Sequence, residues 1–266
     1  MNDRAIDFAK AYRLSRLGMF LLAAGLILVC AVDLPGLVLR LLGRPLQFQF
    51  WSWMRESGMA TLVGTAAPWT TLTGSALLWA AWEAPAWRRR AGLLMTMCLV
   101  DVGCWFLDLG DPNFRGPHAF FRMQLGAALG WPQFALLAGL SGEILAHLGV
   151  DSAEESARST RSLAASGAVV WLLLFFETTN LQAGWPLQRN PWMTLNAQLL
   201  WLASDVIHAI CLVQATALVV AAFRSLNDEI LRGDADGGDP SDPNDFPPDR
   251  DPFEGLDPGR GGFTAG

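Results

Sequence analysis

The sequence predicts an all-α fold: a polytopic integral membrane protein with six transmembrane helices in one bundle and a disordered acidic C-terminal tail. The first observation is six apolar stretches, each close to the roughly 20 residues that a helix needs to cross a bilayer. The second is composition, because hydrophobic residues make up 52% and charged residues only 17% of the chain. Soluble domains carry about 25% charged residues. The third is an abrupt change after Leu231 to Asp, Pro and Gly.

Three regions follow from this pattern. Residues 1–13 form a cytoplasmic N-terminal segment, residues 14–231 the six-helix transmembrane domain, and residues 232–266 an Asp/Pro/Gly-rich cytoplasmic tail. The tail cannot bury enough apolar surface to offset its chain entropy, so we expect it to be disordered. The predicted spans are residues 14–34, 59–82, 91–109, 119–148, 162–180 and 194–223.

Two features of the chain ends and loops indicate how the first span is used and how the protein is oriented. No small-x-small cleavage site follows the first apolar stretch, so we interpret it as a retained helix and not a secretory signal. Arg and Lys, including the run Arg88–Arg90, concentrate on the side of the bundle that carries both termini. Because cytoplasmic loops collect positive charge, both termini are predicted to be cytoplasmic.

The predicted loops differ between the two sides. The outer connections, residues 35–58, 110–118 and 181–193, are rich in Pro, Trp, Phe and Gln, whereas residues 150–161 form a short polar inner loop. Trp and Phe favour the membrane interface, so these side chains form either an aromatic belt or a docking surface for another membrane subunit or a lipid. The candidate partner contacts are Trp51, Trp53, Trp185 and Trp192 and, in the tail, Phe246 and Phe253.

Ionisable residues inside predicted spans are the main functional signal, since a charge in lipid is costly. Asp205 and His208 lie three residues apart on one helical face. At matching depths, Asp101 could pair with His208, and Arg122 with Glu177. A purely structural role in packing the helices is the alternative. The candidate polar intramembrane cavity comprises Asp101, Asp108, Arg122, Gln124, Glu177, Asp205 and His208.

Small residues and prolines within the spans predict how the helices pack. Gly126 and Gly130 match the small-xxx-small pattern of close helix approach, and the second span carries Gly64 and Gly74 among several Thr and Ser residues. Pro68 and Pro132 fall in mid-span, where each removes a backbone hydrogen bond.

Enzyme and cofactor signatures are sparse. The run Gly139-Leu140-Ser141-Gly142 together with His208 resembles the serine–histidine dyad of the rhomboid intramembrane proteases, which implies an intramembrane hydrolase. Asp101, Asp205 and His208 would be chemically suitable metal ligands. The three histidines lie at three different depths, which does not favour haem ligation by a pair of them. Walker, Rossmann and zinc-ribbon spacings are missing and no basic patch suits nucleic acid, so we expect no cofactor and no nucleic-acid partner.

These observations support three functional hypotheses for a multi-pass protein of a bacterial cytoplasmic (inner) membrane, an origin indicated by the near-complete use of Arg over Lys. The leading one is a non-enzymatic accessory or assembly subunit that binds other membrane proteins, or a second copy of itself, through its outer loops and acidic tail. The alternative is a small-solute or proton-coupled transporter that uses the intramembrane Asp, His, Glu and Arg residues. An intramembrane hydrolase of rhomboid type ranks third.

Overall fold

The computed structural model describes residues 2–42, 44–109, 117–150, 152–183 and 195–235, and side chains for most of them. This part of the chain is all-helical, as the sequence predicts. Its seven helices are α1 (Asn2–Leu42), α2 (Arg44–Glu56), α3 (Met59–Ala81), α4 (Pro85–Leu109), α5 (Pro117–His147), α6 (Ser152–Ala183) and α7 (Leu195–Ala235).

Membrane-spanning character is clearest in α1, α6 and α7. In the described residues, the segments long and apolar enough to cross a bilayer are Lys10–Leu42, Ser152–Phe176 and Leu199–Leu231. These three helices suggest a membrane protein, but they fall short of the six spans that the sequence predicts. The six-span bundle is therefore not confirmed. Among the other helices, α3 contains several Thr, Gly and Trp residues, and α4 carries three consecutive arginines, Arg88–Arg90, near its start.

Two predicted loops are helical instead. Residues 35–58 were expected to form an outer connection, yet α1 continues through Pro35 to Leu42, and α2 follows after one residue. Apolar residues continue on both sides of Pro35, and membrane helices tolerate proline because neighbouring groups satisfy the freed backbone. Residues 150–161 were expected to form an inner loop, but α6 starts at Ser152. Glu154 and Glu155 lie in its first turn, where negative charge is favourable.

The helices form a closed ring. Contacts run from α1 to α3, α4, α5, α6 and α7 in turn and back to α1, and α5 also contacts α7. The short helix α2 lies outside this ring against α1 and α3. Because α1 and α7 are antiparallel, Arg16 meets Asn227 at one end of the pair and Arg40 meets Asp205 at the other. We call the first end the base and the second the top.

The backbones of α1 and α3 approach each other closely. A Cβ atom added to Gly18 would lie 2.9 Å from the carbonyl oxygen of Gly74, and one added to Gly74 would lie 2.8 Å from that of Gly18. By contrast, among the described residues a Cβ on Gly126 would meet nothing within 4 Å, and one on Gly130 would meet only His208 of α7 at 3.8 Å. Gly130 thus faces α7 at an ordinary contact distance, and a close helix approach at Gly126 stays a prediction.

The base is held by polar contacts among aromatic side chains. Trp82 donates its indole N–H to Ser15 Oγ at 2.9 Å, and Tyr12 Oη lies 2.9 Å from His147 Nε2. Trp87 is fully buried and donates to the carbonyl of Leu78 at 2.7 Å. Aromatic rings with a polar atom need such a partner when buried. These bonds fix the ends of α1, α3, α4 and α5 relative to one another.

Candidate functional site

A cavity of about 310 Å³ lies at the top, between α1, α5, α6 and α7. Trp51 of α2 also lines it, so the short outer helix contributes to its wall. We call this space the polar cavity, because ionisable side chains from α1 and α7 line it. Its volume is at the lower end of the range of small-molecule sites.

Four ionisable groups face one another across the polar cavity. Arg40 of α1 donates to Asp205 of α7, and the two form an ion pair. One turn along α7, His208 Nε2 lies 3.9 Å from Asp33 Oδ2 of α1. That distance exceeds a hydrogen bond, and an ordinary imidazole is mostly neutral at pH 7. Asp33 is therefore the weakly compensated charge of the cluster.

Aromatic rings form much of the remaining wall. Trp51, Trp131 and Trp171 come from three different helices and all line the polar cavity. The Arg40 guanidinium lies 4.2 Å from the ring centroid of Trp201, within the range of a cation–π contact. His208 meets the ring of Trp131 edge-on, with centroids 5.7 Å apart. The site therefore combines charged groups with π-faces.

Trp131 carries an unsatisfied donor. Its side chain is 3% exposed, and its indole N–H finds no hydrogen-bond acceptor in the described part of the chain. A buried donor without an acceptor costs about 1–3 kcal/mol. The ring packs directly on Gly167 of α6, where a Cβ would lie only 2.1 Å from Trp131 Cζ3. Gly167 is thus the residue that lets this indole reach the cavity wall.

The candidate cavity residues from the sequence fall into three groups. Asp205 and His208 both line the polar cavity. Asp101 instead accepts a hydrogen bond from Gln133 of α5, and it is not among the lining residues. The remaining side chains lie outside the described ones: Asp108, Arg122, Gln124 and Glu177.

The candidate partner contacts divide in a similar way. Trp51 and Trp53 of α2 are exposed, by 38% and 56% respectively. Both rings pack beside Phe50, with centroids 5.4 and 6.3 Å from it. The other four lie outside the described residues: Trp185, Trp192, Phe246 and Phe253.

The serine of the proposed dyad lies away from the cavity. Ser141 is fully buried, and its hydroxyl points to Met19 Sδ at 3.9 Å. His208 has Asp33 and two aromatic rings as its neighbours. A hydrolytic dyad needs its base within hydrogen-bond reach of the nucleophile. Within the described residues no hydrogen bond joins Ser141 to His208, so the geometry lends the hydrolase hypothesis no support.

Sequence reasoning missed half of the charged cluster. Asp33 and Arg40 were assigned to the end of the first span and to the outer side, because Pro35 was taken to end the helix. A signal was available, since Asp33, Gly36, Leu37 and Arg40 follow the i, i+3, i+4, i+7 spacing of one helical face. All four line the polar cavity.

A second partly buried ion pair lies at the base. Arg90 of α4 donates to Glu143 Oε1 of α5. The Glu143 side chain is 18% exposed, and its other oxygen, Oε2, is buried without a hydrogen-bond partner in the described residues. Arg90 of α4 therefore covers one side of this carboxylate.

Metal-ligand groups and similarity to known proteins provide no further evidence on function. Where the structure describes the chain, it places no group of three or more His, Cys, Asp or Glu side chains as ion ligands. No family model, curated protein or solved structure matches this chain. The function is therefore argued from the polar cavity itself.

Proposed function

We propose that the chain is a six-span integral membrane protein that acts as a small-solute carrier, with the polar cavity as its solute site. The observation that carries the proposal is the cluster of Asp33, Arg40, Asp205 and His208 around one cavity. Its residues belong to α1 and α7, which are two of the three helices that are long and apolar enough to cross a membrane. Ionisable side chains within membrane helices typically mark solute or ion pathways. The geometry thus raises the transporter hypothesis above the accessory subunit.

The outward faces of the helices support the six-span arrangement. Large apolar side chains project outward from α1, α6 and α7, and also from α3 and α4. On α4, for example, Leu93, Leu99 and Phe106 are 48%, 58% and 55% exposed. Contiguous exposed apolar surface on a monomer marks contact with lipid or with another protein. In the proposed arrangement every helix of the ring crosses the bilayer and α2 lies at its outer interface.

The basic residues support an orientation. Many lie at the base: Lys10, Arg13, Arg16, Arg88, Arg89, Arg90, Arg158, Arg161 and Arg224. At the top, the described basic side chains are Arg40 and Arg55. By the positive-inside rule the base and both termini face the cytoplasm of a bacterial cell, and the polar cavity lies in the outer half of the inner membrane.

The carrier hypothesis is tested by measuring whether a reagent can reach the cavity from both faces of the membrane. Ala209 of α7 lines the polar cavity, so Ala209→Cys is introduced after the four native cysteines are replaced by serine. A carrier exposes its solute site alternately to each side. We therefore expect membrane-impermeant trimethylammonium-ethyl methanethiosulfonate to label Ala209→Cys in right-side-out and in inside-out vesicles.

A matched control comes from the same helix. Ala215 of α7 is fully buried in the core, so Ala215→Cys should remain unlabelled from either face. Labelling of Ala209→Cys from one face alone would indicate a receptor-like pocket. Labelling from neither face would indicate a closed structural cluster. Either result would rule out the carrier.

The accessory-subunit hypothesis remains as a second candidate because of α2. Trp53 is the more exposed of its two candidate contacts and is not among the residues that line the polar cavity, so it is free to meet a partner. If α2 docks another membrane protein, Trp53→Ala should release a polypeptide that co-purifies with the full chain in mild detergent. Recovery of the same polypeptides with Trp53→Ala and with the unchanged chain would contradict this second candidate.

A further inference from the structure

The polar cavity has an excess of negative charge. Asp33 and Asp205 contribute two carboxylates, whereas Arg40 contributes one guanidinium and is already paired with Asp205. In the described residues Asp33 accepts no hydrogen bond. The basic group beside it is the imidazole of His208, whose Nε2 lies 3.9 Å from Asp33 Oδ2. With His208 neutral, the site carries one uncompensated negative charge. A cation is the ligand that would balance it.

The aromatic residues that line the cavity indicate which kind of cation it would bind. Metal ions prefer oxygen or imidazole ligands in close groups, and the described residues form no such group. Trp51, Trp131 and Trp171 instead line the cavity together with Asp33, and indole is the ring that binds organic ammonium ions best.

The indole N–H of Trp131, which has no acceptor in the described residues, indicates a further property of the ligand. Trp131 is one of the lining residues, and its N–H is buried without an acceptor in the described residues, so a ligand whose oxygen reached this N–H would satisfy it. We propose that the polar cavity binds a small organic ammonium ion that also carries a hydroxyl or carbonyl oxygen. Asp33 balances its charge, the three tryptophans surround its alkyl groups, and Trp131 donates to its oxygen. This inference rests on the proposed function, because it names the substrate class of the same site.

Choline is a suitable probe because it combines a quaternary ammonium group with a hydroxyl. Binding of radiolabelled choline is measured on the full chain in lipid nanodiscs, with unlabelled choline and its uncharged isostere 3,3-dimethylbutan-1-ol as competitors. We expect saturable binding that choline displaces and the isostere does not. Equal displacement by both compounds, or no saturable binding, would overturn the inference.

Substitutions of Asp33 and Trp131 test the role of each residue in binding choline. Asp33→Asn keeps the shape and removes the charge, and we expect choline affinity to fall roughly tenfold or more. Asp228→Asn makes the same change on an exposed residue at the base end of α7 and should leave affinity unchanged. Trp131→Phe removes the N–H donor and replaces indole with a weaker cation-binding ring, so choline affinity should fall by more than that of tetramethylammonium, which lacks an oxygen.

The cysteine labelling and the choline assay separate the two proposals. Choline binding together with labelling of Ala209→Cys from one face would support the ammonium site and reject the carrier. Labelling from both faces without choline binding would support the carrier and reject the ammonium class. An Asp33→Asn protein that keeps full choline affinity would also reject the assigned role of Asp33.

Discussion

Replacing Arg90 by methionine is expected to lower the free energy of unfolding by about 3 kcal/mol, because it leaves the Glu143 carboxylate buried without its counter-ion. Glu143 Oε1 accepts the bond from Arg90, and Oε2 is already buried without a partner in the described residues. Methionine keeps most of the apolar stem of arginine, so the lost charge dominates the effect. Arg161 also acts electrostatically on Glu143, which keeps the loss at the lower end of the range for a broken buried pair.

A matched pair on α6 provides the control. Arg158 donates to Glu154 at 2.9 Å, but both side chains are at least two-thirds exposed, 74% and 67% respectively. Arg158→Met should therefore change stability by less than about 0.5 kcal/mol. Unfolding of each variant in detergent is followed by tryptophan fluorescence.

Removing both partners of the buried pair completes the test. Arg90→Met combined with Glu143→Leu removes both charges, and apolar replacement of a whole buried pair is commonly neutral. The double variant should therefore recover most of the stability that Arg90→Met loses. Equal losses from Arg90→Met and Arg158→Met would contradict the interpretation of Glu143 as a buried charge.

The helices could be predicted from the sequence because the signal for them is local. Each of the six apolar stretches coincides with one helix, and only the limits differ. Hydropathy could not locate the end of α1, because Asp33 and Pro35 resemble the end of a span in a sequence. The continuation to Leu42 becomes apparent only when the side chains that Asp33 and Arg40 face on α7 are known.

The polar cavity could be predicted only in part, since it depends on which helices are neighbours. Asp205 and His208 were identified because both lie on one helix, at a spacing that places them on the same face. The pairing predicted between Asp101 and His208 required α4 to face α7, but the contact ring separates these helices by α5. Asp101 consequently bonds to Gln133 of α5. A single sequence contains no direct information on this order.

Substitution of Gly167 by alanine is expected to disrupt both the packing and the polar cavity. The added Cβ would lie 2.1 Å from Trp131 Cζ3 and 2.5 Å from Cη2, so the indole or α6 must shift. Overpacking of this kind costs roughly 1–3 kcal/mol. Because Trp131 forms part of the cavity wall, choline binding should weaken in the same variant.

Two variants on α5 complete the test: one is the control for Gly167→Ala, and the other should restore the stability that Gly167→Ala loses. A Cβ on Gly139 would meet nothing within 4 Å, so Gly139→Ala should be neutral or stabilise the helix by up to about 1 kcal/mol. Trp131→Phe removes the outer ring that the new Cβ would strike, so it should restore the stability of Gly167→Ala. Thermal unfolding followed by tryptophan fluorescence measures all three variants. If Gly139→Ala and Gly167→Ala lower the melting temperature equally, helix propensity and not the contact with Trp131 explains the need for glycine at Gly167.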